Sequence, residues 1–224
     1  MGDPKLSSVR ALIFDLDGTL IDSKQDLIHS VNAMLRELGR GELAEETISG
    51  YIGHGAPKLV ARALGDGSSE EERQRALQFF LHYYEQHKMD TTRTYPGVAE
   101  TLEKLSNVPM AVLTNKPVRI SVRILDTMGL SKYFRSIYGG NSFETKKPHP
   151  LGARTILREL SAEPHETLLV GDSEVDVQTA RNANTWACGV TYGLGSERLV
   201  QHPPDVLLDS LTELPPLLSG AKIK

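Results

Sequence analysis

Short apolar runs that stop abruptly constrain this chain more than any other feature. They are Ala11-Leu12-Ile13-Phe14, Met110-Ala111-Val112-Leu113, Ser136-Ile137-Tyr138, Thr167-Leu168-Leu169-Val170 and Ala187-Cys188-Gly189-Val190. Runs this short without polar alternation are what strands buried on both faces require. Segments of helical period lie between the later runs. Pro117 to Met128 places Ile120, Ile124 and Leu125 on one face, and Leu151 to Leu160 and Val175 to Asn182 read the same way. Strand and helix in alternation predict an α/β, doubly wound, Rossmann-like parallel sheet. Right-handed crossovers then gather the carboxyl ends of the strands at one edge, where such folds take their ligands.

The interval between Asp22 and Arg93 breaks that rhythm. It contains no convincing strand and reads as helices over Ser23 to Leu38, Glu45 to Ile52 and Pro57 to Leu64, with a long one starting at Ser69. Ser69 and Glu72 have the spacing of a capping box. Gly39, Gly53, Gly55, Gly65 and Gly67 punctuate the breaks, and Tyr95-Pro96-Gly97 reads as a turn back into the sheet. The expected organisation is a core from residues 1–21 and 94–224, with an all-helical cap domain inserted over 22–93.

Composition narrows the function classes. Of 224 residues, 39% are hydrophobic and 24% charged, with a net charge of −4, which is ordinary for a globular protein. Lys and Arg are scattered, so no nucleic-acid partner is expected. The first apolar run is cut at once by Asp15 and Asp17, far too early for a signal peptide or membrane span, so a cytoplasmic protein without a membrane partner is expected. The lone Cys188 cannot form an internal disulfide or a cysteine zinc site, and its apolar neighbours predict a core position. The chain is expected to be a monomer or a homodimer.

Four polar clusters fall at predicted strand ends. In Asp15-Leu16-Asp17-Gly18-Thr19, residues two apart on an extended chain point the same way, so both carboxylates address one site. The spacing fails as an EF-hand, because Leu20 stands where glycine is needed and the later Glu is absent. Thr114 and Asn115 end a strand and open a helix, a combination that suits a phosphate oxygen. Lys147 lies in Lys146-Lys147-Pro148-His149-Pro150, where proline on either side of His149 predicts an extended backbone. Asp172 sits at the tip of a strand and Asp176 about one helical turn later, oxygen donors suited to a hard cation. Each cluster alone has an ordinary explanation as a turn or a helix cap. Together they build one acidic pocket with a lysine, a hydroxyl and an amide.

In that order the motifs resemble the haloacid dehalogenase-like phosphatases, from Asp15 to about Gly195. Gly53-His54-Gly55, Leu59, Ala63-Leu64, Tyr95-Pro96-Gly97-Val98, Thr114-Asn115-Lys116-Pro117 and Tyr138-Gly139-Gly140 resemble the bacterial phosphoglycolate phosphatases within that family. Asn141, where Asp is common, and Leu151-Gly152, in place of a proline-rich continuation, depart from the pattern. The resemblance implies a phosphatase of small phosphate esters that uses Mg²⁺. Asp15 would be the nucleophile and form an aspartyl-phosphate, with Asp17 the general acid and base. Asp15, the main-chain carbonyl of Asp17 and Asp172 would hold the metal, and Asp176 would orient a ligand or water beside it. Thr114, Asn115 and Lys147 would hold the phosphoryl oxygens. Neighbouring carboxylates are expected to raise the Asp17 pKa. In the cap, Gly53, His54, Lys58 and Arg62 are candidates for the anionic, non-reacting end of a substrate, which a carboxylate fits, and the resemblance itself implies 2-phosphoglycolate. Inorganic pyrophosphate and small sugar phosphates are the nearest rivals. A phosphosugar mutase and a non-catalytic binding module are the readings from other classes. His29, His82, His87, His165 and His202 lack ligand spacing.

Overall fold

The computed structural model describes residues 6–219. In chain order the elements are β1 (Ala11–Phe14), β2 (Ile21–Asp22), α1 (Lys24–Glu37), α2 (Glu45–Ser49), α3 (Ala56–Leu64), α4 (Glu70–His87), β3 (Arg93–Thr94), α5 (Val98–Lys104) and β4 (Met110–Leu113). They continue with α6 (Val118–Thr127), β5 (Ser136–Tyr138), α7 (Leu151–Leu160), β6 (Thr167–Gly171), α8 (Glu174–Ala183), β7 (Trp186–Val190), β8 (Val206–Leu208) and α9 (Leu214–Ser219). Six strands form one parallel sheet in the order β5-β4-β1-β6-β7-β8.

Period-two alternation along the strands divides the core into two layers. Leu12 and Phe14 join Val112, Leu168 and Val170 on one face, against α5 and α6 through Val98, Leu102, Ile120, Ile124 and Leu125. Ala11 and Ile13 join Ala111, Leu113 and Leu169 on the other, against α7 and α8 through Ala153, Ile156, Val177 and Ala180. Helices on both faces make the sheet doubly wound. Cys188 is buried in the first layer.

Helices α1 to α4 occupy the interval between β2 and β3, with α1 and α3 both packed on α4. The predicted third helix ends where expected, whereas α2 is shorter than predicted, stopping at Ser49. Ser69 accepts the main-chain N–H of Glu72 at 3.1 Å, as the capping box requires. The Glu72 carboxylate instead takes Arg40 at 2.6 Å, so the box is half formed. No helix among the described residues is long and apolar enough to cross a membrane.

Two features were not legible in the sequence. β8 follows Pro203-Pro204 and lies at the sheet edge, where Leu207 is exposed, so its three residues look like loop. β2 and β3 form a two-residue antiparallel ladder, Ile21 with Thr94 and Asp22 with Arg93, which ties the two ends of the helical interval together. Asp26 on α1 reinforces that tie from a fully buried position. Its carboxylate accepts from the main-chain N–H groups of Thr91 and Thr92, both at 2.9 Å, and from their hydroxyls at 2.6 and 2.7 Å. Asp26→Ala removes four hydrogen bonds and strands the two donors of buried Thr92, while exposed Thr91 can turn to water, so urea unfolding should record a loss of roughly 3 kcal/mol. A loss below about 1 kcal/mol would mean that the ladder alone carries the junction.

Candidate active site

The carboxyl ends of β1, β4 and β6 sit side by side, because β1 pairs with both of the others in parallel. Each strand ends in polar residues, and the fold brings them together. Asp15, Asp172 and Asp176 offer carboxylate oxygens that all lie within 4.8 Å of one another, and all three residues are buried. Lys147 enters from the loop after β5, with Nζ 2.9 Å from Asp15 Oδ1 and 2.6 Å from Asp176 Oδ1.

Close main-chain approach makes this crowding possible. Gly18 has φ +81°, and a Cβ there would fall 2.1 Å from Asp172 Oδ2. Any other residue at this turn would both strain the backbone and push Asp172 away. Asp172 Oδ2 accepts the main-chain N–H of Gly195 at 2.9 Å. Asp176 sits in the first turn of α8, and its Oδ2 accepts from Ser173 Oγ at 2.7 Å and Ser173 N at 3.2 Å, a capping box. With Lys147 on Oδ1, both Asp176 oxygens already have partners in the protein, which favours an orienting role for this side chain.

The electrostatics follow from burial. Asp15 is raised to about 6, first by burial and further by Asp176, with Lys147 opposing. Asp172 is raised well above the usual carboxylate range by burial, then by Asp176 and Asp15. Burial pulls the Lys147 ammonium down, but Asp15 and Asp176 outweigh it and hold the lysine charged. The site therefore carries more buried negative charge than its lysine offsets. An all-oxygen donor set with surplus negative charge fits a hard divalent cation such as Mg²⁺.

Asp17 lies in different company from that expected. Its Oδ1 accepts Ser23 Oγ at 2.6 Å and Lys116 Nζ at 2.8 Å, and its Oδ2 accepts Lys116 at 3.1 Å. Carboxylates crowd Asp15 and Asp172 instead, because the turn at Gly18 aims the Asp17 side chain toward α1. Lys116 is buried and also donates to Tyr84 Oη of α4 at 2.5 Å. Burial lowers Lys116, and Asp17 and then Tyr84 more than reverse it. Tyr84 is pushed up to about 12, chiefly by burial. Neither Lys116, Tyr84 nor Ser23 was singled out for a role from sequence. A lysine after Thr-Asn reads as a helix-start cation until the fold turns it inward.

Thr114 is buried at the end of β4, and its hydroxyl accepts the Lys116 N–H at 3.3 Å. Asn115 was expected to hold phosphoryl oxygens. Its amide instead donates to the carbonyls of Gly53, at 3.0 Å, and Lys147, at 3.1 Å. Both amide protons are spent on main chain, so the side chain braces the loops around the site. Gly140 is pressed on this loop so closely that a Cβ would lie 2.3 Å from the Asn115 carbonyl. Asn141 Oδ1 accepts the Val118 N–H at 2.9 Å at the start of α6. Residues 146–149 form a turn closed by His149 N to Lys146 O at 2.9 Å, not the extended segment predicted from the flanking prolines.

A cleft opens between the sheet edge and the helices of the interval. Gly53, Gly55, Ile52, Leu59, Phe80 and Tyr84 face Asp15, Asp17, Thr114 and Lys116 across it. His54, Lys58 and Arg62 are not among its lining residues. His54 Nε2 lies 3.6 Å from Glu174 Oε1, and Arg198 approaches the same carboxylate at 3.5 Å. Burial, then Arg62, lowers the His54 pKa. Lys58 and Arg62 are exposed, with Arg62 over the Tyr51 ring. The loop thus contributes backbone to the cleft while its charged side chains face away, since α3 turns its apolar side inward.

A family model described as haloacid dehalogenase-like hydrolase matches residues 12–190. The chain is 40% identical over 221 residues to a Pseudomonas aeruginosa protein named phosphoglycolate phosphatase 1, covering 95% of this chain and 80% of the relative. It is 36% identical to a Vibrio parahaemolyticus protein named phosphoglycolate phosphatase, covering 92% and 94%. A crystal structure from Haemophilus somnus 129PT, described as a predicted phosphoglycolate phosphatase, superposes with a TM-score of 0.87 at 32% identity, covering 92% of this chain and 96% of that one.

The raised Asp15 carboxyl has a measurable consequence. A folded-state pKa near 6 against an unfolded value of 3.8 means that the folded protein binds the extra proton, so stability falls as pH rises through that window. In EDTA, denaturation midpoints should drop between about pH 4 and pH 6, with Asp15 contributing up to roughly 3 kcal/mol. Added Mg²⁺ should restore stability at pH 7.5 far more than at pH 4.5. Equal Mg²⁺ stabilisation at both would show that the ionised carboxylates are not where the cation acts.

Proposed function

This chain belongs to the haloacid dehalogenase-like hydrolases and is a phosphatase, and from that premise we propose that it hydrolyses 2-phosphoglycolate through an aspartyl-phosphate, with Mg²⁺ as its cofactor. The observation that carries the reading is the buried cluster of Asp15, Asp172 and Asp176 around Lys147 at the carboxyl edge of the sheet. Asp15 and Asp172, with the main-chain carbonyl of Asp17, are the groups that would hold the metal. When bound, it supplies positive charge that offsets the carboxylates and polarises a phosphoryl oxygen.

The protein's own groups divide the work. Asp15 attacks phosphorus, and the bond to the leaving alkoxide breaks. Asp17 gives that alkoxide a proton. It then takes a proton from water, which attacks the aspartyl-phosphate and returns Asp15 as carboxylate. Lys147 and the Thr114 hydroxyl hold phosphoryl oxygens, the positioning on which phosphoryl transfer chiefly depends. Asn115 keeps Lys147 in place through its carbonyl. Helices α1 to α4 act as a cap that keeps bulk water from the reacting carboxylate. The names of the relatives from Pseudomonas aeruginosa and Vibrio parahaemolyticus support 2-phosphoglycolate as the substrate.

A phosphate-release screen over 2-phosphoglycolate, pyrophosphate and small sugar phosphates, with and without EDTA, tests the proposal. Phosphoglycolate should give the highest kcat/KM, and EDTA should abolish it. Asp15→Asn, checked by mass spectrometry for deamidation, should fall by at least about a thousandfold. Full turnover by that variant would remove Asp15 as nucleophile. A sugar phosphate outrunning phosphoglycolate would overturn the substrate, and transfer between sugar positions without phosphate release would make the protein a mutase.

A further inference from the structure

A second function for the buried lysine of the Thr-Asn-Lys-Pro turn follows from what lines the cleft. Its walls on the cap side are apolar, with Leu27, Ile52, Leu59, Phe80 and Leu81. On the core side Asp15, Asp17, Thr114 and Asn115 face it, and among the described residues that line it Lys116 is the only cation. A substrate whose phosphoryl group lies at Asp15 must extend its remaining atoms into this space. A second anion against the cap-side wall would lie among apolar side chains, and Lys116 is the cation that the lining offers it, with Lys146 Nζ behind Gly55, 3.3 Å from where a Cβ there would sit.

Lys116 is placed to receive one. Its ammonium has three donors, and the partners it has, Asp17 at 2.8 and 3.1 Å and Tyr84 at 2.5 Å, all lie at the cleft wall. Asp17 Oδ1 also accepts the Ser23 hydroxyl at 2.6 Å, a partner other than Lys116. Tyr84 carries a hydroxyl beside the ammonium, and its ring sits 4.6 Å from Nζ, so the lysine stem is held from the cap side as well. Its backbone is fixed by Thr114 Oγ1 and by Gly140, whose N–H donates to the Lys116 carbonyl at 2.9 Å. The cations of the Gly53–Gly55 loop are elsewhere: His54 is with Glu174, and Lys58 is exposed.

We infer that Lys116, with the Tyr84 hydroxyl beside it, binds the non-reacting carboxylate of the substrate and sets the preference for a phosphate ester that carries a second anion close to its phosphoryl group. The inference rests on the substrate reading above and assigns its specificity to the core turn instead of the cap loop.

The test compares kcat/KM for 2-phosphoglycolate and for ethyl phosphate, which lacks the carboxylate, in the wild type and in Lys116→Met, Lys116→Gln and Lys116→Arg. Damage to folding lowers both substrates together and cancels in their ratio, whereas damage to Asp17 as acid weighs more on the poorer leaving group, ethyl phosphate, and so cannot mimic a loss of preference for phosphoglycolate. The preference for phosphoglycolate should collapse by roughly 30- to 100-fold in Lys116→Met and Lys116→Gln, through kcat as well as KM, and survive largely in Lys116→Arg. Lys116→Gln keeps length and a donor, so it serves if Lys116→Met does not fold. A preference unchanged in both neutral variants, or lost in Lys58→Ala or Lys146→Ala instead, overturns the assignment while leaving the substrate intact. A wild type with no preference for phosphoglycolate over ethyl phosphate overturns both.

Discussion

Buried like charge at one edge of the sheet is the constraint on which the site depends. Asp15, Asp172 and Asp176 have oxygens within 4.8 Å of one another, and one lysine stands among them. At such separations each pair of like charges costs roughly 4 kcal/mol even at the effective dielectric of a protein surface. The carboxylates stay together because each is fixed by an element that cannot yield cheaply. Asp15 ends a fully buried strand, Asp172 ends another and is pressed by Gly18, and Asp176 is locked into the first turn of α8. A bound cation would relieve that repulsion and the further charge of a phosphate ester, which is why the proposed metal and the proposed chemistry would share one place.

How much of this was legible follows from the physics of parallel sheets. Strands buried on both faces must be continuous apolar runs, so β1, β4 and β6 stand out, and the residue that stops each run is the residue at the ligand-binding edge. Asp15, Thr114 and Asp172 could be found that way. β8 could not, since an edge strand after two prolines has neither the length nor the burial that leave a pattern. The β2–β3 ladder pairs residues separated by the whole helical interval, and nothing local marks it. The same limit applies to side-chain partners. Asn115 looked like a phosphate ligand because its residue type and place suit one, but its amide is committed to the Gly53 and Lys147 carbonyls. Asp17 looked crowded by carboxylates because it neighbours Asp15 in sequence, whereas the turn at Gly18 sends it to Ser23 and Lys116.

The helical interval and the sheet edge are joined by polar bridges that begin beside the candidate catalytic groups. Asn115 ties Gly53 of the interval to Lys147. Lys116 ties Tyr84 to Asp17. Glu174, two residues after Asp172, faces His54, and Arg198 reaches both Glu174 and the Gly50 carbonyl. Such bridges set how the helical interval sits on the sheet edge, because the apolar surfaces of α1, α3 and α4 have no directional preference of their own.

That arrangement bears on how selectivity and catalysis are linked. If the non-reacting anion of a substrate meets Lys116, it enters a network that already contains the proposed acid and base, Asp17, and a cap residue, Tyr84. Recognition of the substrate's far end, seating of the cap and orientation of Asp17 are then one event, because all three pass through a single ammonium. A phosphate ester without the second anion would leave the lysine on Asp17 and Tyr84 as it stands, and would be held only at its phosphoryl end. The remote binding energy of the correct substrate is thereby available at the reacting centre, the condition under which binding raises the rate of the chemical step and not only the occupancy of the site.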